Sequence, residues 1–574
     1  MFVDSSKVRS PNGKTYHRTL LRTSFRENGK VKHRTLGNLS SCSPEEIDAI
    51  RLALRHKDLL ADVLAQAQLP ASSSSKPIPS QEPQHFVQGP SVGAVAALAA
   101  LANELGITKV LGDTRQGRLA LWQVIARALD QGSRLSAVRL ARDLGAAEVL
   151  GLPGFDEDDL YANLAWLEKN QQRIETGLYQ ARNAKSASTP PSLFLYDVTS
   201  TYLEGQHNAL AAFGYNRDGK RGKKQIVVGL LCDDQGIPLA IEAFPGNTGD
   251  TSTVSSQIAK LQQRFKAGHV TLVGDRGMIR GPQIDELRQA GLHHISAISK
   301  PQIETMLREK TLQMELFDNE LVEVIIPAKE GENQTPERYI LRRNPMRQQE
   351  IMASRLDKKA ALEREIAQLN LYLSEHPRAK ASTAEKKLGK RLVQLRLDGW
   401  LRIEVADRHI RLEQDDEALA ELSKLDGCYV IRTDLPVAVA DKQQVHARYK
   451  SLAEVEQAFR RSKTVELEMR PVHVRSESST RGHMLVVMLA YLLMQELGTR
   501  WSGLDLTVSE GLDRLNTYCA VKVGGVLQML LEPRQDVQEL LTAAKLQLPS
   551  ILPGKAARVA TKKTLPKSRP SRKK

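Results

Sequence analysis

An acid stands inside a hydrophobic strand-like run. Residues 193–201 read LFLYDVTST, and Asp197 sits among the apolar side chains. A carboxylate in such a place is costly unless it is paired or binds a metal. A second run, VTLVGDRG at 270–277, reads as a buried strand that ends on Asp275. The last residues of a strand in an α/β sheet face the crevice where ligands bind. A fold for this chain must therefore bury both runs and still bring both acids to an edge. The segments around them allow this. KQIVVGLLCD and GIPLAIEAF read as two further strands joined by the turn Asp233-Asp234-Gln235-Gly236. A helical stretch at 251–266 precedes the Asp275 strand, and a helix at 281–290 precedes a fifth strand, HHISAISK. Three strands, helix, strand, helix, strand predicts an α/β core with a mixed sheet and flanking helices.

The flanking chain divides by composition. Residues 1–68 read as a small basic unit: a β-hairpin around Glu27-Asn28-Gly29, then a helix starting at Ser43-Pro44-Glu45-Glu46 with Ser43 as N-cap. This unit reads equally as a DNA contact or as a solubility-tuned edge domain. Residues 69–91 are rich in Ser and Pro and read as a linker. Residues 92–189 show three/four apolar spacing, a helical domain that fits DNA binding and a plain spacer alike. The α/β core takes 190–301 and resumes over 426–550. Between them, 302–425 reads as an insertion with two or three strands and then long, charged helices. Residues 551–574 form a basic tail, expected to be disordered in isolation.

Charge narrows the partner. Lys and Arg number 82 against 67 Asp and Glu, a net +15 with a pI near 9.5. That balance favours nucleic acid before membrane. Nine of the fifteen net charges lie in the tail from Pro553 onward. The apolar run MLVVMLAYLLM at 484–494 is too short for a bilayer and reads as a buried helix. The N-terminus lacks the apolar stretch of a signal peptide. Cys42, Cys232, Cys428 and Cys519 are scattered without a CxxC pair, as in a reduced cytoplasmic protein.

Two strand-end acids plus a third carboxylate on a following helix make a candidate two-metal site, with oxygen ligands suited to Mg²⁺ or Mn²⁺. The third is proposed as Glu456, within YKSLAEVEQAFRRSK at 449–463. There Glu456, Phe459 and Lys463 share a face by spacing, Val455 and Phe459 anchor the helix, and Lys463 is placed to hold a phosphate. By spacing alone the same stretch reads first as an amphipathic helix with ordinary charge pairs.

These residues resemble insertion-sequence transposases of the DDE type, which carry an RNase H-like catalytic core. The branch is the one with a Tyr-x2-Arg-x3-Glu-x6-Lys signature. Tyr449, Glu456 and Lys463 match it at the required intervals, and Leu452 replaces the Arg. Arg448 and Arg460 are the nearby arginines available to substitute. DVTSTYLEG, GYNRDGKRGKKQIVVGLLCDDQGIPL, FPGNTGDTST, VGDRGM and FRRSKTVELEMRPVHV are similar to the same branch, as is the hairpin with Arg26-Glu27-Asn28-Gly29.

The resemblance implies an RNase H-like mixed sheet interrupted by an insertion domain. It implies Asp197, Asp275 and Glu456 as catalytic residues holding two Mg²⁺ or Mn²⁺ ions. It implies DNA cleavage at element ends and 3′-OH transfer into target DNA. The expected partner is double-stranded DNA, held by a homodimer in the cytoplasm on the nucleoid, with no membrane. The expected DNA contacts are Tyr449, Lys463, Arg460, Lys223, Lys224 and Arg276. Lys220 and Arg221 extend the basic patch of Lys223 and Lys224. Trp400 is read as a core or surface Trp or as a platform for a flipped base. His473 and His483 are read as structural. The rival readings are a catalytically inactive DNA-binding protein and a stand-alone RNase H-like nuclease.

Overall fold

The protein was analysed as a computed structural model that describes residues 2–9, 15–27, 30–43, 46–47, 50–51, 54, 87–185, 192–205, 207–265, 270–327, 336–463, 467–470, 472–523, 526–529, 532–553, 559 and 561. It forms two compact units, Met1–Gln84 and His85–Lys574. The first is a three-stranded antiparallel sheet of β1 (Phe2–Arg9), β2 (Thr15–Glu27) and β3 (Lys30–Asn38). The expected hairpin is β2–β3, and β1 is an additional strand on its edge. The turn at Asn28-Gly29 lies outside the described residues. Ser43 and Glu46 cap each other: the Glu46 amide donates to Ser43 Oγ at 3.2 Å, and the Ser43 amide donates to Glu46 Oε2 at 2.7 Å.

The second unit opens on β4 (Val87–Ser91), which pairs with β15 (Cys519–Val523), itself paired with β16 (Val526–Met529). The end of the stretch expected as linker is thus a strand, and residues 69–86 lie outside the described residues. Its centre is an eight-stranded mixed sheet. β5 (Leu193–Tyr202), β6 (Gln225–Asp233) and β7 (Pro238–Phe244) run antiparallel. β8 (Thr271–Gly274) pairs parallel with β5, and β9 (His293–Ala297) parallel with β8. The spatial order of these five, β7-β6-β5-β8-β9, is the RNase H-like arrangement.

Three more strands extend the sheet beyond β9. β10 (Val322–Ile326) and β11 (Glu337–Arg343) come from the stretch expected as insertion. They reach the sheet through β14 (Cys428–Thr433), which lies between β11 and β9. The chain that leaves the sheet therefore starts at Asn344, not at 302. It forms the helices Pro345–Glu375 and Ala381–Leu395, then the hairpin β12 (Leu401–Ala406) and β13 (His409–Gln414). This arm has its own core, in which Trp400 is 3% exposed against Leu362, Leu388 and Ile410. Trp400 is accordingly a core residue and offers no platform for a base.

Alternation along β5 decides what each sheet face meets. Phe194, Tyr196 and Val198 pack with Val254, Ile258, Ile284 and Leu287 on one face. Leu193 and Leu195 share the other core with Val455, Phe459 and the helix Glu477–Arg500. Residues 93–185, expected as a separate helical domain, form helices that contribute to this same core.

The apolar run at 484–494 is the middle of the 24-residue helix Glu477–Arg500. That helix is long and apolar enough, by length and composition, to cross a bilayer, yet most of its apolar window is buried within the fold. It packs at backbone distance on the helix Glu157–Lys185: a Cβ added at Gly482 would stand 2.1 Å from the Leu164 carbonyl oxygen. Gly482→Leu is expected to destabilise the protein by about 3 kcal/mol through overpacking, read as a lowered midpoint in urea denaturation.

Candidate active site

Strand pairing places the first two acids. Tyr196 is opposite Gly274 in the parallel ladder, so the next residues along, Asp197 and Asp275, come side by side at the C-terminal end of β8. Gly277, at φ +78°, lets the chain turn back there, and the Met278 amide donates to the Asp275 carbonyl at 3.1 Å. Asp197 points to the sheet face of Leu193 and Leu195, where the helix Leu452–Lys463 packs. Leu452, Val455, Ala458 and Phe459 anchor that helix, which leaves Glu456 exposed above the acids.

The three carboxylates line one cleft of about 550 Å³ with Arg276, Tyr449 and Leu452. Asp197 is half-buried, while Asp275 and Glu456 are exposed. Burial pushes the Asp197 carboxyl up to about 7, and the like charges of Asp275 and Glu456 push the same way. The Val198 amide, donating to Asp197 Oδ1 at 2.7 Å, and the nearby Arg217 pull it back only in part. Among the described residues, none of the three carboxylates makes an ion pair. This is a donor set short of positive charge, and its oxygen chemistry fits a hard divalent cation. It is not closed: among the described residues no three His, Cys, Asp or Glu side chains stand close enough to hold one ion.

Residues 449–463 do not form one helix. The helix Lys442–Lys450 ends at Ser451, and the next starts at Leu452. Tyr449 belongs to the first, lines the cleft and donates to Asp275 Oδ1 at 3.5 Å. Burial raises its phenol further above the usual range, and the negative charge of Asp275 adds to this.

Lys463 does not share the exposed side of Glu456. Its side chain is 10% exposed and donates to Asp218 Oδ1 at 2.9 Å. Asp218, 1% exposed, also takes the Arg470 guanidinium. Lys463 thus pairs with a buried acid instead of facing the cleft, and burial pulls its ammonium below the usual range. The reason is Asp218: a buried carboxylate draws in the nearest cations.

Lys223 pairs with Glu204 at 2.9 Å, and Lys224 lies over the Phe213 ring at 6.0 Å. Arg460 is exposed on the Glu456 helix. None of these three lines the cleft, and of the expected basic contacts only Arg276 does. Leu452 is buried in the wall, and neither Arg448 nor Arg460 takes its place there. His483 is buried against Arg134 at 3.2 Å, and His473 is exposed.

Sequence reasoning missed Arg217. Its amide donates to Ser200 Oγ at 2.9 Å, its guanidinium pairs with Asp250, and it is the cation that lowers the Asp197 carboxyl. It stands in GYNRDGKRGKK, where nothing local sets it apart from the other basic residues. Lys300, Arg347 and Lys450, which also line the cleft, carried no local signal.

Comparison with known proteins completes the picture. Residues 188–493 match the transposase DDE domain. The chain belongs to the DDE transposase family. Residues 4–66 match the N-terminal domain of IS1634 family transposases, so this is an insertion-sequence DNA transposase in both of its units. Transposases of the DDE family generally act with divalent metal ions. Two solved structures are remotely similar. One is a piggyBac transposase synaptic complex with hairpin DNA, at 10% identity over 81% of this chain and 84% of that one, TM-score 0.33. The other is a Mos1 transposase paired-end complex with left transposon end, at 12% identity over 41% and 65%, TM-score 0.13. No curated protein matches the transposase.

Two outcomes test the site's electrostatics. A raised carboxyl favours the folded state only while it is protonated. Asp197 therefore costs stability in full above pH 7, and the cost fades as pH falls toward 4. Asp197→Asn should stabilise the metal-free transposase by about 2 kcal/mol at pH 8 and by almost nothing at pH 4, measured by urea denaturation at both pH values. Lys463→Met should destabilise it by about 3 kcal/mol, because Asp218 loses a partner in a buried site. The same variant should leave the salt dependence of DNA binding unchanged, checked by fluorescence anisotropy.

Proposed function

We propose that this transposase cuts DNA at the ends of its element and joins the freed 3′-OH to target DNA, with Asp197, Asp275 and Glu456 as its catalytic carboxylates. The supporting observation is that three carboxylates without an ion pair among the described residues, carried by β5, the end of β8 and the helix Leu452–Lys463, line one cleft. Mg²⁺ or Mn²⁺ would be held by these three residues. Two such ions, when bound, supply charge neutralisation at the attacking and leaving oxygens of an in-line phosphoryl displacement.

The chain's own residues supply the positioning. The β5–β8 register holds Asp197 beside Asp275, and the Tyr449 hydroxyl steadies Asp275. The buried face of the Leu452–Lys463 helix fixes the height of Glu456 over the sheet. Arg276 takes a phosphate at the cleft rim, with Lys223, Lys224 and Arg460 as outer contacts. The reaction is phosphoryl transfer by positioning and charge stabilisation, with no covalent protein intermediate. In this reading the N-terminal unit contacts DNA, a homodimer pairs two element ends, and the protein acts in the cytoplasm on nucleoid DNA. A catalytically inactive DNA-binding protein is the second reading, favoured by Leu452, an apolar side chain in the cleft wall where the resembled signature has a cation.

The test is excision in cells from a reporter carrying the gene's native flanking DNA. The wild type should excise, and Asp197→Asn and Glu456→Ala should each lose about a thousandfold or more, the loss expected when several kcal/mol of charge stabilisation disappears. Wild-type activity in Glu456→Ala would remove it from the carboxylate set. Binding of the flanks without excision by the wild type would favour the inactive reading.

A further inference from the structure

The cleft is lined from two parts of the fold. One carries the carboxylates. The other is the root of the arm, where the chain leaves the sheet at Asn344 and returns at Gly427. Three cations beyond Arg276 stand around it, each from a different element. Arg347 is in the first turn of the arm helix, Lys300 opens the helix Lys300–Arg308 after β9, and Lys450 ends the helix before Glu456. Arg347 is more than half exposed, and its pair with Glu350 at 2.7 Å is equally exposed, so it exchanges readily for a phosphate. A strand of DNA brings a charge with every nucleotide, and the carboxylate wall repels it. Cations around those carboxylates are what a polyanion needs in order to enter.

The position of Arg347 is fixed at both ends of about three turns of helix. At the start, the Asn344 side chain caps the Arg347 amide at 3.2 Å, and the Asn344 amide donates to the Gly427 carbonyl at 2.8 Å. Gly427 itself sits at φ +73°, and a Cβ there would stand 2.5 Å from the Asn344 carbonyl oxygen. Two turns further on, Arg355 forks onto both oxygens of Asp426, with Nη2 to Oδ1 at 2.8 Å, and also reaches Ser423 Oγ at 3.1 Å. The Asp426 side chain is 7% exposed. A bidentate pair of this kind adds geometric specificity as well as energy.

We infer that Lys300, Arg347 and Lys450 grip the phosphates of the strand being cut, and that the Arg355–Asp426 pair is the positioning device that sets Arg347 against the carboxylates. This rests on the cleavage reading above. It makes the arm root a working wall of the active site.

The experiment uses the full chain and a labelled duplex of the native flanking DNA. Binding is followed by anisotropy across a salt series, with a footprint and, in Mg²⁺ or Mn²⁺, the rate and position of cutting. Arg347→Ala, Lys300→Ala and Lys450→Ala should each lower the slope of log affinity against log salt by about 0.9. Arg347→Lys should restore it. Asp426→Asn and Arg355→Lys, both shown folded by thermal melting, should keep the slope but blur the footprint edge. They should also slow cutting at saturating DNA about a hundredfold and scatter the cut over neighbouring positions. Wild-type slopes in all three alanine variants would overturn the grip. A sharp footprint and a single cut position in both clamp variants would overturn the positioning role. If the wild type binds but does not cut, the cleavage reading fails, and the slopes and footprints still decide the two claims made here.

Discussion

The parallel pairing of β5 with β8 is the constraint on which the rest of this molecule depends. A ladder of four residue pairs brings Asp197 and Asp275 together, although the sequence between them holds two strands and a helical segment. A one-residue slip would turn Asp197 to the opposite face, among Phe194 and Tyr196. The buried side chains forbid that slip, because the two faces of β5 meet different cores. The same register therefore makes the fold and the acidic site. The stability of the sheet enforces a local arrangement that is itself unfavourable, since two carboxylates come together with a third above them.

Buried charge is handled in two contrasting ways in this protein. Asp218 is almost fully buried and is answered by Lys463 and Arg470. Asp434, at the end of β14, is answered by His293 and His294, each at 3.1 Å, and despite burial its carboxyl lies well below the usual range. Asp197 receives only an amide and the charge of Arg217, which itself pairs with Asp250, and its carboxyl rises. Where the fold needs a carboxylate for structure it supplies partners for it. Where it leaves one under-compensated, the carboxyl stands out as a functional group and not a structural one.

Much of this was legible from the chain alone because two periodicities are strong. Alternation and apolar runs marked β5 to β9 and β14, and the acid inside LFLYDVTST singled out Asp197 before any geometry was known. What failed was decided by tertiary contacts that no local pattern carries. Lys463 sits at the spacing of a surface cation, and only the distant Asp218 draws it inward. The helix expected to run through 449–463 breaks at Ser451, where the backbone continues through the shorter bond from the Glu454 amide to the Ser451 carbonyl. β10 and β11 looked like parts of an insertion because their pairing partner, β14, is far along the sequence. Lys300, Arg347 and Lys450 are unremarkable in their own segments and meet only where the sheet, the arm and the Tyr449 helix converge.

The arm explains how a long excursion between Asp275 and Glu456 leaves the site intact. The chain departs from β11 and returns on β14, and these strands are neighbours paired from Arg338 to Arg343. The excursion is thus closed by a β-ladder, and the entropy of closing a loop rises only slowly with its length. The arm also packs its own core, so it draws little on the core of the sheet. Whatever its length, β14 is delivered next to β9, and the helices that follow it are delivered to the face where Leu195 and Asp197 point. The position of Glu456 is consequently set by the sheet and not by the arm. The arm in turn is set by the sheet through Asn344, Gly427 and the Arg355–Asp426 pair, so both walls of the cleft are referred to one rigid frame.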